Sequence, residues 1–246
     1  MYKVCIAAQV LLFLYAPGTR VAYGQDPDEG TLSSIRPHIP EPMVFDLIRP
    51  LGAERGEVEV NTLFRFNAAG GHRNLQWAPE VEYAFLKGHG LEFELPMENT
   101  RIESLKAALQ GTMPWPWKSR FIHGWQVLRE GSRQEDLSKM NLLYLAGFKY
   151  NRKWSMFTMT GVERERAHEV AYAFAGNYSL FFHKTKRFTY GLESNLKGSA
   201  ITPRSLLVMP QVQLRKSRIN VQFGAGWRMS SKDGGPQVGW RISREF

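Results

Sequence analysis

Large apolar side chains recur at every second position from about residue 56 to the end of the chain. This alternation is the two-residue period of a β-strand. Short turn-forming sequences join successive segments, and such connections place neighbouring strands antiparallel in a meander. Twelve segments follow this pattern: Val58–Phe66, Trp77–Phe85, Leu91–Met97, Leu105–Leu109, Phe121–Val127, Met140–Tyr150, Trp154–Val162, Val170–Phe182, Phe188–Leu196, Leu206–Leu214, Ile219–Met229 and Val238–Phe246.

The side chains on the two faces of these segments indicate what surrounds each face. One face carries aromatic and aliphatic side chains such as Tyr172 and Phe174, and the other carries small or polar ones such as Ala173 and Asn177. The first face suits lipid and the second suits a wet barrel interior. Because an open sheet edge in hydrocarbon would leave backbone groups unsatisfied, the sheet has to close. We therefore predict an all-β fold, a single transmembrane antiparallel β-barrel of about 12 strands with both termini in the periplasm.

Two further segments precede the barrel. Residues 1–24 combine a basic start, an apolar run and a small-residue cleavage zone, which predicts a signal peptide. Cys5, the only cysteine, lies in this segment, so the mature chain contains no thiol. Residues 25–54 are proline-rich and predict an irregular N-terminal arm whose apolar patch, Met43–Ile48, docks on or inside the barrel at residues 55–246.

Composition limits the partners. The mean hydropathy of −0.35 excludes a membrane protein built from many helices. The chain has 32 basic and 23 acidic residues, a surplus that favours anionic partners. For an exported protein we expect the bacterial outer membrane as location, and outer-membrane lipid, lipopolysaccharide, the barrel-assembly machinery and a small solute as partners, with no nucleic acid.

The chain ends in VGWRISREF, with Trp240 and Phe246 on the apolar face. This ending resembles the C-terminal signature by which bacterial outer-membrane barrels are recognised for insertion, although Arg244 stands where that signature has an apolar residue. The resemblance implies that Trp240 and Phe246 are an assembly signal.

A narrower resemblance involves three stretches of the sequence. HIPEPMVFDLIRPLG, WAPEVEYAF and LEFELPMEN, which begin at His38, Trp77 and Leu91, resemble the outer-membrane transporter family named after phenol-degradation meta-pathway genes. The resemblance implies a channel or porin-like role and brings no catalytic residues.

Ionisable residues on the polar face form an acidic and a basic arc of the predicted lumen. They are Glu59, Glu80, Glu82, Glu92 and Glu94 from early strands, Lys197, Arg215, Arg228 and Arg241 from late strands, and Arg65 beside the seam. Opposed arcs would orient and select charged solutes. The same charges could instead pair across a narrow lumen and close it.

Enzymatic and metal chemistry find little support. A hydrolytic serine–histidine pair could involve Ser179 with His183 or Ser119 with His123. Both are disfavoured, the first because Ser179 faces the lumen. The six histidines lack the spacing of a metal site. We therefore predict no catalytic, cofactor-binding or metal-binding residues.

Two exposed groups of residues remain ambiguous in sequence. Trp115 and Trp117 are interpreted as an interfacial anchor. Lys184, Lys186 and Arg187 fit either a contact with lipid phosphates or a solvated turn.

The function expected from the sequence is an outer-membrane channel or transporter for passive passage of small solutes through a charged lumen. The alternative is a closed outer-membrane barrel with a structural or interaction role. An outer-membrane lipid-modifying enzyme is the third hypothesis.

Overall fold

The structure is a computed structural model that describes residues 37–45, 50–67, 74–114, 119–133, 137–166, 170–199, 204–230 and 234–246. All of these residues belong to one compact unit, Arg36–Phe246. The predicted signal peptide, residues 1–24, and the first part of the arm, residues 25–36, lie outside the described residues and stay predictions. No described segment is a long apolar helix capable of crossing a bilayer.

Within the described ranges the chain forms only β-strands and their connections. The strands are β1 (Val58–Asn67), β2 (Asn74–Leu86), β3 (His89–Glu94), β4 (Met97–Glu98), β5 (Arg101–Ile102), β6 (Ser104–Met113), β7 (Phe121–Ser132), β8 (Ser138–Lys149), β9 (Trp154–Arg166), β10 (Val170–His183), β11 (Phe188–Ser199), β12 (Ser205–Lys216), β13 (Ile219–Ser230) and β14 (Gly235–Glu245).

Twelve of the described strands close into an antiparallel barrel, which confirms the predicted fold class. Each barrel strand pairs with its neighbours in the chain, and β1 pairs with both β2 and β14, so no edge remains open. The two-residue strands β4 and β5 form a small hairpin that continues the sheet from one end of β2.

The outward parity of the strands is apolar, as the alternation predicted. Tyr172 is 66% exposed and Phe93 is 57% exposed, fractions that a soluble protein would rarely leave to water. On the inward parity, polar side chains such as Gln126, Asn177 and Gln222 are almost completely buried. Lipid therefore surrounds the first set and the barrel encloses the second.

The two ends of the barrel differ in their connections. At the end that carries Phe246, β2 and β3 are joined by Lys87 and Gly88 alone, and β12 and β13 by Ser217 and Arg218. At the opposite end, residues 95–103 connect β3 to β6 and contain β4 and β5. Short periplasmic turns and longer extracellular loops are the rule for such barrels. We therefore refer to the end with Phe246 as the periplasmic end.

Aromatic side chains cover the outside of the seam between β1 and β14. The Phe64 ring stacks on Trp240, with ring centroids 5.1 Å apart, and faces Trp77 of β2 at 6.2 Å. The backbone N–H of Phe246 donates to the Val58 carbonyl at 2.9 Å, so the last residue extends the closing ladder. The role of Trp240 and Phe246 as an assembly signal stays a prediction.

Arg244, the departure from the C-terminal signature, lies on the outward face. Its guanidinium carbon is 4.9 Å from the centre of the Phe246 ring. This is the range of a cation–π contact, which accommodates a charge beside an aromatic group.

One expectation about the lumen is wrong. The inward face was expected to be small and polar, but it contains a continuous apolar surface formed by β7 to β10. Its large members are Ile122, Leu143, Leu145, Phe157, Met159 and Phe181, all buried. Exposure of such an apolar surface to water in an open lumen would be unfavourable. The N-terminal arm covers this surface.

Candidate functional site

The N-terminal arm lies inside the barrel, at the periplasmic half of the lumen. Ile39 and Leu51 belong to the apolar cluster on β7 to β10, and Phe45 packs against the same cluster. Met43, which is 1% exposed, packs with Leu207 and Met209 on the opposite wall. The described arm therefore contacts two sides of the lumen, and Met43, Val44 and Phe45 of the predicted patch dock inside the barrel. The rest of the patch, residues 46–48, lies outside the described part.

The carboxylate of Glu193 on β11 accepts hydrogen bonds from the backbone of the arm. Three consecutive amides donate to the carboxylate: Met43 to Oε2 at 2.8 Å, Phe45 to Oε1 at 2.9 Å, and Val44 to both oxygens at 3.1 and 3.2 Å. Three successive N–H groups directed at one anion form a concave anion site made of main chain. This contact joins residues separated by about 150 positions in the sequence.

Side chains from the wall complete the surroundings of Glu193. Asn195 Nδ2 donates to Oε1 at 2.9 Å, Asn177 Nδ2 to the same oxygen at 3.1 Å, and Gln211 Nε2 to Oε2 at 3.3 Å. A buried carboxylate needs such donors to offset its desolvation. The wall therefore positions the carboxylate, and the arm supplies the remaining donors.

Polar contacts hold the arm at the periplasmic mouth. Gln213 Nε2 donates to the backbone carbonyl of Glu41 at 2.9 Å, and Gly52 N–H donates to Thr112 Oγ1 at 2.8 Å. Arg215 donates to His38 Nε2 at 3.3 Å, which requires a neutral imidazole acceptor.

The surroundings of His38 favour this neutral form. The residue keeps accessible surface, but its ring lies among protein atoms at the mouth. Desolvation by these atoms, followed by the positive charges of Arg215, His183 and Lys149, lowers the pKa of His38 from 6.5 to about 4.

Four glycines face the arm where it approaches the wall most closely. A Cβ at Gly147 would lie 2.6 Å from Ile39 Cδ1, and one at Gly124 would lie 2.8 Å from Leu51 Cδ2. A Cβ at Gly224 or Gly239 would lie 2.8 or 3.1 Å from Met43 Cε. At these four positions the wall has no side chain, and Ile39, Leu51 and Met43 of the arm occupy the space that a Cβ would need.

Arg241 connects the acidic and basic arcs close to the seam. Its guanidinium is 2.6 Å from Glu80, 3.5 Å from Glu82 and 3.9 Å from Glu41 of the arm. Glu80, Glu82 and Arg241 are almost completely buried, and Glu59 is buried beside them on β1. The structure thus brings these four predicted residues together.

The other predicted lumen charges lie in separate local contacts. Lys106 contacts Glu94 at 2.7 Å, and Lys197 contacts Glu163 at 2.6 Å. Arg215 lies 3.5 Å from Glu245 at the periplasmic mouth, and Arg228 donates to Gln237 at 3.0 Å. Arg65 is half-buried on the inward face of β1. The basic arc is therefore dispersed along the barrel.

Glu92 is buried between Glu80 and Glu94. Carboxylate oxygens of these three residues lie within 4.8 Å of one another, a spacing that a divalent cation could bridge. The Lys106 ammonium already contacts Glu94, so the group also has a cation from the protein itself.

The candidate hydrolytic pairs do not form in the structure. Ser179 Oγ donates to Asn177 Oδ1 at 3.1 Å, while His183 Nε2 lies 2.9 Å from Ser155 Oγ. Ser155 is fully buried, so a substrate could not approach its hydroxyl. His123 lies on the outward face of β7, where its Nδ1 is 3.0 Å from the Tyr144 hydroxyl.

The ambiguous exposed groups are placed only in part. Trp115 and Trp117 lie outside the described residues. Lys184, Lys186 and Arg187 are exposed in the periplasmic turn between β10 and β11.

Sequence reasoning missed Glu193, Glu163 and Glu41. The first two lie on the inward parity of their strands, so the alternation could have found them. Glu41 lies in the arm, where no period shows which side chains enter the lumen.

The geometry can be compared with known proteins. Residues 36–113, the described arm together with β1 to β6, match the model of a family described as HAEPLYID-like. This model does not test the resemblance to the phenol-degradation transporter family, which stays a prediction. No curated protein matches the sequence.

Three solved structures with similar folds are described as outer-membrane porins or channels. The NanC porin superposes with a TM-score of 0.59 at 10% identity, over 76% of this chain and 97% of that protein. The KdgM porin gives a TM-score of 0.55 at 12% identity, over 76% and 98%. The COG4313 outer-membrane channel of Pseudomonas putida F1 gives 0.54 at 11% identity, over 80% and 98%. At these identities the similarity establishes the fold alone, and that fold is the porin-like outer-membrane β-barrel.

Proposed function

We propose that the protein is an outer-membrane channel or transporter for small solutes, closed at rest by its own N-terminal arm. The observation that carries this proposal is the seat of the arm on Gly124, Gly147, Gly224 and Gly239. A barrel that closed its lumen permanently could do so with side chains from the wall. Here a separate segment fills the space, so its departure would open a path.

The contacts that hold the arm are of a kind that can be broken and remade. They are hydrogen bonds to Glu193 and Gln213 and apolar contacts of Ile39 and Met43. Above the arm, the half-buried Arg65, Arg228 and Lys197 would line the route of a charged solute. The similarity to porins and the resemblance to the phenol-degradation transporter family support the same role.

This proposal includes the location and partners expected from the sequence. An N-terminal signal peptide would export the chain, and the barrel-assembly machinery would insert it into the outer membrane. No residue is assigned a catalytic role.

A closed barrel with a structural or interaction role is the second candidate. The docked arm favours it, because the arm occupies the lumen and the buried Arg241 of the wall lies 3.9 Å from Glu41 of the arm. The two candidates differ in whether the arm leaves.

Conductance measured with the arm docked and undocked separates them. The mature protein is reconstituted in a planar bilayer and compared with Glu193→Gln, which keeps the shape of the side chain but removes the anion that the arm amides require. The matched control is Glu163→Gln, a buried lumen carboxylate that pairs with Lys197 and makes no hydrogen bond or ion pair with the described residues of the arm. We expect rare openings for the wild type and Glu163→Gln, and frequent, ion-selective openings for Glu193→Gln.

Limited proteolysis of the arm in the same samples makes the result decisive. An arm that becomes cleavable in Glu193→Gln without any conductance would refute the channel and support the closed barrel.

A further inference from the structure

Three arginines lie on the outward, lipid-facing parity near the extracellular end of β7 and β9. Across the strands, Arg129 and Arg164 both lie opposite Met140, and Arg166 lies opposite Ser138. Together these five residues line a shallow cavity of about 250 Å³. We call this set the arginine patch.

The arginine patch borders the apolar belt of the barrel. One outward position closer to the periplasm, Val127, Leu142 and Val162 form a row on the same three strands. Leu142 and Val162 are each 53% exposed, as lipid-facing side chains are. Successive outward positions lie about 7 Å apart along a strand, so the arginines lie immediately above the hydrocarbon.

A tyrosine supports this assignment of depth. Tyr172 of β10 lies opposite Arg164, and it is 66% exposed on the outward face. Tyrosines at the ends of an apolar belt are typical of the level of the lipid headgroups. The arginine patch therefore lies where the charged groups of the outer leaflet are found.

The charges of the arginine patch are not neutralised by the protein within the part of the chain that the structure describes. Arg129, Arg164 and Arg166 are absent from the described ion pairs, and the intervening Glu163 and Glu165 belong to the inward parity. Three guanidinium groups around one cavity repel one another unless an anion joins them. The planar guanidinium matches the geometry of a phosphate and binds it through two parallel hydrogen bonds.

We propose that the arginine patch binds a phosphate group on the glycolipid anchor of lipopolysaccharide in the outer leaflet. The arginines hold the phosphate, and Met140 with the apolar row beneath it contacts the acyl chains. This inference rests on the membrane placement included in the proposed function, but it does not depend on transport. Lipid binding and conductance can therefore fail independently.

Native mass spectrometry of the full mature barrel, titrated with purified lipid A in detergent, tests the proposal. In R129Q/R164Q/R166Q we expect the apparent Kd for lipid A to rise roughly tenfold or more, because charge-assisted contacts are lost. The control R152Q/K153Q/R218Q removes three exposed positive charges from two other periplasmic turns and should leave the Kd unchanged. Lipid A without its phosphates should bind the wild type as weakly as lipid A binds the triple glutamine variant.

Two further measurements make the result interpretable. R129K/R164K/R166K keeps the charge but loses the planar fork, and we expect an intermediate Kd. A heat-dependent gel shift verifies that each variant is folded. Equal binding of lipid A by the wild type and the glutamine variant would overturn the proposal. Displacement of lipid A by inorganic phosphate at equal concentration would also overturn it, because the ligand would then be free phosphate.

Discussion

Arg241 is the residue on which the acidic side of the lumen depends. Its side chain is 4% exposed and lies within 3.5 Å of Glu80 and Glu82, while Glu41 approaches from the arm. Buried charges of one sign are tolerated only near a compensating charge. The guanidinium therefore stabilises both the wall and the arm beside it.

Removing that charge should be costly. We expect Arg241→Gln to lower the free energy of unfolding by about 3–5 kcal/mol, the usual effect of removing one partner from a buried ion pair. Urea unfolding followed by tryptophan fluorescence measures it. Lys87→Gln is the control, because Lys87 and Glu54 form an exposed pair that should contribute less than about 1 kcal/mol. Equal losses for the two variants would contradict the central role of Arg241.

His38 makes docking of the arm sensitive to pH. Its pKa is about 4 in the docked arm and close to 6.5 when the arm is free. Above pH 6.5 the imidazole is neutral in both states, so it has no effect. As the pH falls from 6.5 through about 4, the free arm takes up the proton first, so docking weakens.

Proteolysis of the arm between pH 7 and pH 4 measures this effect. We expect cleavage to increase several-fold for the wild type and less for His38→Asn, which cannot titrate. Arg215, His183 and Lys149 face the imidazole, and any other group that takes up a proton is common to the wild type and His38→Asn. The difference in pH-dependent cleavage between the wild type and His38→Asn is therefore the contribution of His38. Identical pH profiles would show that this histidine is not the sensor.

At the scale of the element, the arm and the strands beneath it form a matched pair. The arm is held by main-chain amides on one side and by Ile39, Met43 and Leu51 on the other. The strands provide glycines at the points of closest approach. Because the described residues of the arm, 37–45 and 50–54, form neither helix nor strand, their conformation depends on this fit to the wall.

A side chain added to the wall should therefore release the arm. In Gly147→Val the new Cβ would overlap Ile39 Cδ1, at 2.6 Å, and we expect increased cleavage of the arm while the barrel stays folded. Gly131→Val is the matched control on β7, since a Cβ there would meet nothing within 4 Å. Cleavage rates and the heat-dependent gel shift are measured together. Unchanged cleavage in a folded Gly147→Val barrel would contradict the proposed seat of the arm.

At the scale of the whole molecule, the sequence predicts the barrel well because its information is local. The alternation around Tyr172 and Phe174 repeats along every strand, and short turns at Lys87–Gly88 require antiparallel neighbours. Closure then follows from the need to pair every backbone group in lipid.

The interior was predicted less well, because its contacts join distant parts of the chain. Leu145 and Phe181 lie on the polar parity and look misplaced until the arm is seen to cover them. Likewise, nothing near Glu193 in sequence indicates that its donors come from residues 43–45. Periodicity reports the face on which a side chain lies but not its partner.

The distance in sequence between Glu193 and the arm has a consequence for how the molecule forms. Docking joins residues about 150 positions apart, and a contact of such long range forms only after the intervening strands are in place. The arm is the first of the described segments to be synthesised, yet we expect it to dock only after β11 has paired with its neighbours. On this expectation, biogenesis passes through a barrel whose lumen the arm has not yet filled.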